Sequence, residues 1–116
     1  MNYFSLYVTV PNLEDARTLA RTLVEERLAA CVNVLDGITS LYRWEGQVEE
    51  AQEVALIVKI SAEQAETAMQ RIRTLHSYDC PCITAWPIVA GDPDYLEWVN
   101  AQTREQIAIK PTSQDP

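Results

Sequence analysis

Glycine is scarce in this chain of 116 residues, with copies only at positions 37, 46 and 91. The sequence therefore has no glycine-rich loop to cradle a phosphate group. Histidine occurs once, as His76, and the three cysteines are Cys31, Cys80 and Cys82. Three thiols leave one unpaired, and Cys80 and Cys82 are too close in sequence to staple a fold, so a disulfide framework is excluded. Basic residues number 9 against 17 acidic ones, a formal charge of -8 that repels a phosphate backbone and argues against nucleic-acid binding. No apolar run reaches the roughly 18 residues a bilayer demands, and the first ten residues lack a basic signal-peptide region. A protein with reduced thiols, no membrane contact and a cytoplasmic location is the expectation.

What is present reads as a globular domain over residues 1–106, with a loose, aperiodic tail at 107–116. Tyr3 to Val10 reads as a strand stopped by Pro11, and Asn12 as the N-cap of a helix reaching Leu28. Leu13, Ala16, Leu19, Ala20, Leu23, Val24 and Leu28 form its apolar stripe. A second strand runs from Cys31 to Glu45, with Gly37 marking a bulge and Ile38, Ser40, Tyr42 and Trp44 on one face. After a turn at Gly46, a third strand starts acidic and exposed at Val48 to Glu53. It then becomes apolar on both faces to Ile60, as a central strand does. Ser61 with Gln64 forms a capping-box pattern for a helix whose stripe is Ala65, Ala68, Met69, Ile72 and Leu75. Ile83 to Val89 reads as an edge strand because it contains Pro87, and Asp92-Pro93 opens a short C-terminal helix with Tyr95, Leu96, Trp98 and Val99.

This order predicts an α+β fold, a ferredoxin-like split βαβ antiparallel sheet with two helices on one face and a short C-terminal helix. The second strand alone would extend about 50 Å at about 3.3 Å per residue, against a radius of gyration near 13 Å for a domain this size. The hairpin should leave its own body, and the sheet face opposite the helices should be covered by another copy.

The run Arg27-Leu28-Ala29-Ala30-Cys31-Val32-Asn33, then Thr39-Ser40-Leu41-Tyr42 and Trp44-Glu45-Gly46, resembles the signature of the CutA divalent-cation-tolerance family. Lys59, His76 with Tyr78 and Pro81, Pro87, and Gly91 to Trp98 follow in the family's order, so the resemblance spans about Tyr7 to Asn100. It implies a non-enzymatic homotrimer that binds divalent metal, copper or similar, and acts in metal tolerance. Its trimer contacts would include Tyr42, Trp44 and Trp98. Another reading is a trimer similar to the PII signalling proteins, which hold small anionic ligands in clefts between subunits.

The chain departs from the family at His76-Ser77-Tyr78-Asp79-Cys80-Pro81-Cys82. Relatives usually place a proline after the histidine, glutamate or glutamine after the tyrosine, and a glutamate where Cys82 stands. Family members linked to copper have a cysteine near the end of strand one and paired histidines. Val8 and Leu75 stand in place of the cysteine and of one histidine, and only His76 carries over. His76, Cys80 and Cys82 together form a candidate metal clamp whose thiolate and imidazole donors suit copper or zinc. Simple packing of two small apolar residues is the competing reading. Cys31 reads as a small residue buried beneath the first helix, and a Cys80–His76 dyad has no evident orienting partner, so no catalytic residue is assigned. Lys59 on a doubly covered strand needs a partner. With Trp44 and Glu45 it can line a cleft between subunits that takes a small anion, or it can sit in a buried ion pair.

Overall fold

A computed structural model describes residues 2–103, so the tail expected at 107–116 lies outside the described residues. The strands are β1 (Tyr3–Val10), β2 (Cys31–Trp44), β3 (Gln47–Ser61) and β4 (Ile83–Ile88). The helices are α1 (Leu13–Glu25), α2 (Ala62–Leu75) and α3 (Pro93–Gln102). They form an antiparallel sheet in the order β2-β3-β1-β4, which puts the proline-containing β4 at an edge, where a missing N–H is harmless.

Strand alternation divides the sheet into two faces. Leu6, Val8 and Val10 of β1 and Val54, Leu56, Val58 and Ile60 of β3 pack with Ala16, Leu19 and Leu23 of α1 and with Ala65, Ala68 and Ile72 of α2. Burying such aliphatic side chains, at about 1.5–3 kcal/mol each, is the main stabilisation of the fold. Val24 and Leu75, assigned to the helical stripes from sequence, are instead exposed at the ends of their helices. On the opposite face, α3 covers one end of the sheet, with Val99 packing against Tyr3 and Ala30 and flanked by Leu96 and Ile88.

Helix α1 begins as expected, the Asp15 amide donating to Asn12 Oδ1 at 2.8 Å, but stops before Leu28. Arg27 takes a left-handed φ of 61°, which ends the helix and lets the Leu28 and Ala29 amides reach the Leu23 carbonyl. The Arg27 side chain then crosses to α3, donating from Nε to the Gln102 carbonyl at 3.1 Å and from a terminal nitrogen to the Ala101 carbonyl at 2.6 Å. It thus caps a helix end that has no basic residue of its own in the last turn.

The capping box at Ser61 does not form. Ser61 Oγ accepts instead from the buried Thr103 hydroxyl at 3.1 Å, because at the end of β3 its side chain turns toward α3. On the surface, Arg71 donates two bonds to Glu26, at 2.9 and 2.8 Å, linking α2 to the end of α1. The guanidinium holds the Glu26 carboxyl below its ordinary value.

The β2–β3 hairpin gives the protomer extents of 56 × 29 × 22 Å. Its strand ends at Trp44, and Glu45 and Gly46 form a two-residue loop with φ of 50° and 80°, the positive values that a type I′ turn requires at both positions. Between Leu35 and Ile38 the register slips by one residue, where Asp36 and Gly37 face the single partner Val54. Gly37, at φ 83°, makes this bulge possible.

Candidate functional site

A cavity of about 590 Å³ opens on the sheet face away from α1 and α2. Tyr7 and Thr9 of β1, Ser40, Tyr42 and Trp44 of β2, and Glu53 of β3 line it, together with Ser77, Tyr78, Asp79, Cys80 and Cys82 from the loop before β4. The β2 residues reach it because Ile38, Ser40, Tyr42 and Trp44 share a face, as their spacing predicts, and that face is the one Glu53 occupies.

A chain of hydrogen bonds holds the loop over the cavity. His76 Nε2 lies 2.7 Å from the Thr9 carbonyl, and the Tyr78 amide donates to His76 Nδ1 at 3.1 Å. Both bonds together require the tautomer with its proton on Nε2. The two rings also touch, with centroids 4.7 Å apart. The Tyr78 hydroxyl then donates to Glu53 Oε2 at 2.9 Å. Burial first, then the Glu53 carboxylate, pushes the Tyr78 phenol up to about 12. Glu53 was expected to be exposed with the rest of the acidic half of β3, yet it is only 8% exposed. It sits where the central strand dips beneath Tyr78, so it is the first carboxylate of that run to leave solvent.

The candidate metal ligands are divided. Cys80 and Cys82 are exposed thiols on the cavity wall, whereas His76 lines a different depression beside α1, with Glu14 and Asp15. Both His76 ring nitrogens are committed, so neither is free to serve as a base for Cys80. Among the described residues, one copy assembles no group of three His, Cys, Asp or Glu side chains able to hold a metal ion.

The candidate cleft residues are separated as well. Trp44 reaches the cavity, and Glu45 stands exposed at the hairpin turn. Lys59 lies near the other end of β3, its Nζ donating to Asn33 Oδ1 at 2.9 Å. A cleft holding all three can form only between copies.

Cys31 is half-buried and pairs with Lys59 in the sheet. It lies beneath α3, not beneath α1: burial and then the Cys31 thiol raise the Tyr95 phenol on that helix. Trp98 is half-exposed, its ring 5.8 Å from that of Tyr95. On the open sheet face Tyr7 and Trp86 stack at 5.1 Å.

The model of the CutA1 divalent ion tolerance protein family matches residues 4–102. The "Divalent-cation tolerance protein CutA" of Thermus thermophilus is 49% identical over 96 residues, 83% of this chain and 93% of that protein. The chloroplastic protein CutA of Arabidopsis thaliana is 44% identical over 85% of this chain, which spans only 54% of the plant protein. Among solved structures, the Thermus thermophilus divalent cation tolerance protein superposes with a TM-score of 0.85 at 46% identity, covering 88% of this chain and 99% of that one. A structure described as the periplasmic CutA of Archaeoglobus fulgidus gives 0.85 at 39% identity, covering 88% and 99%.

Proposed function

Because this chain belongs to the CutA1 divalent ion tolerance family, we propose that it binds metal ions as cargo, without catalytic turnover, in the service of metal tolerance. The observation that carries the reading is the placement of two exposed thiols, Cys80 and Cys82, with Asp79 on one cavity wall. Thiolates favour copper or zinc over magnesium or calcium. Two donors from one loop make an incomplete shell. His76 can supply a third only by giving up the Tyr78 amide, at about 1 kcal/mol. The thiols therefore dominate affinity, and His76 adds little.

Titration of the reduced protein with copper and with zinc tests this. Saturable binding should weaken by at least about 10-fold (about 1.4 kcal/mol) in a Cys80→Ser, Cys82→Ser double variant and much less in His76→Ala. No saturable binding, or unchanged affinity without the two thiols, removes the site.

The protein acts as a homotrimer of ferredoxin-like protomers. Support comes from the open sheet face and projecting hairpin, where Trp44 is 50% and Trp86 49% exposed and Tyr42 and Leu35 are also uncovered. Aromatic and aliphatic groups arranged in this way suit burial against neighbouring copies, with Tyr42, Trp44 and Trp98 as contacts. Light scattering should give three times the protomer mass of 13.1 kDa. A persistent single-copy species at high concentration refutes the assembly. Free thiols suit a cytoplasmic location, which fractionation of the native host would check. A small-anion signalling function gains nothing from the cavity, whose lining among the described residues includes Glu53 and Asp79 and no Lys, Arg or His.

A further inference from the structure

The open face of the sheet carries opposite charges at its two ends. Glu49, Ala51, Glu53, Ala55, Ile57 and Lys59 share that face by alternation along β3. Lys59 is the sole lysine in residues 2–103. Its ammonium donates to Asn33 and meets no carboxylate, because the one ion pair among the described residues joins Arg71 to Glu26. Its neighbours in register, Cys31 on β2 and Ser5 on β1 with Trp86 beyond, are not acidic. On the arm, Glu49 is exposed opposite Tyr42, and no cation shares its side of the ribbon. Arg43 lies on the other side, diagonal to Glu50.

Covering this face with another copy strips water from the ammonium and the carboxylate alike, and each is costly to bury alone. Within one copy they cannot meet, since ten positions of extended strand separate them by roughly 33 Å. A cation at one end of a face and an anion at the other are complementary in the head-to-tail contact that closes a ring. We propose that Glu49 on the arm of one copy pairs with Lys59 on the body of the next, fixing the register in which the copies dock. This rests on the assembly proposed above and assigns it one defined charged contact. The exposed rings of Tyr42, Trp44 and Trp86 supply apolar area, which is non-directional. The ion pair penalises a slipped register by leaving both charges unpaired.

The test uses a water-soluble carbodiimide on the wild-type full chain, since this reagent joins a carboxylate to an amine in direct contact as an amide. Linked products should run at two and three times 13.1 kDa on a denaturing gel, and peptide mapping should place the amide between Lys59 and Glu49. Charge reversal gives a second measurement, by light scattering on dilution. Lys59→Glu and Glu49→Lys alone should each raise the concentration at which the assembly dissociates by at least about 10-fold. Both changes in one chain should return it to within about 3-fold of wild type. A trimer whose Lys59 forms no amide, or forms it with another carboxylate, overturns the pair and leaves the assembly standing. Failure of the double variant to recover does the same. A persistent single-copy species removes the assembly and the pair together.

Discussion

Arg27 performs two jobs whose energies can be separated. Its backbone occupies the left-handed region at φ 61°, which costs a non-glycine residue about 1 kcal/mol. Its half-buried guanidinium donates to the Gln102 and Ala101 carbonyls at 3.1 and 2.6 Å. Two bonds from a charged donor reach at least about 3 kcal/mol when buried, and at this partly solvated site they contribute about 2 kcal/mol together. Arg27→Ala keeps the strain and loses the bonds, so it should destabilise by about 2 kcal/mol. Arg27→Gly loses the same bonds but relieves the strain, and the net loss should fall to about 1 kcal/mol. Denaturant unfolding at one fixed protein concentration measures both, the concentration mattering for any assembly that dissociates on unfolding. Amide exchange should locate the loss, with protection of α3 falling first. Equal stability of the two variants, within about 0.3 kcal/mol, would refute the strain assignment. A loss under about 0.5 kcal/mol for Arg27→Ala would refute the helix-bridging one.

Three further outcomes follow from individual contacts. The Tyr78 phenol, raised from 10.0 to about 12 in the folded protein, favours folding below pH 10, and that contribution is lost as pH rises through about 12. Glu53→Gln should return this phenol part of the way toward 10.0, seen as an earlier tyrosinate absorbance step. An unchanged titration would mean that Glu53 does not contribute to the shift. At the hairpin turn, Glu45→Asn should stabilise by a few tenths of a kcal/mol, because asparagine accepts positive φ more readily there, and a loss of thermal stability contradicts the turn assignment. Leu56, fully buried on the central strand, should cost about 2–5 kcal/mol on truncation to alanine, and a change below about 1 kcal/mol in denaturant unfolding would show that the core collapses around it.

Much of the sheet and helix order was legible because alternation and helical spacing report burial directly. Ile38, Ser40, Tyr42 and Trp44 were placed on one face by alternation alone, and Pro87 announced an edge. Other features depend on contacts between residues distant in sequence. Leu28 continues the apolar stripe of α1, so nothing local signals that Arg27 will turn left-handed to reach α3. Ser61 carries a good capping pattern and is drawn away by Thr103, 42 positions later. Glu53 sits at the end of an acidic run, and only the arrival of Tyr78 from another loop makes it a buried carboxylate. The cysteines and His76 are neighbours in sequence, yet the bonds that His76 makes to Thr9 and Tyr78 direct its ring away from the thiols' cavity.

The irregularity at Asp36–Gly37 carries a consequence for how the hairpin can evolve. It inverts the parity of everything beyond it: with one residue fewer, Thr39, Leu41 and Arg43 would point toward Glu53. Tyr42 and Trp44 would then turn to the opposite side of the ribbon. A single-codon deletion there would act as a frameshift in space, preserving the reading of every downstream residue while exchanging an aromatic wall for one that includes a guanidinium. Point substitutions along the arm can tune that wall, but only a change in residue count can reverse it.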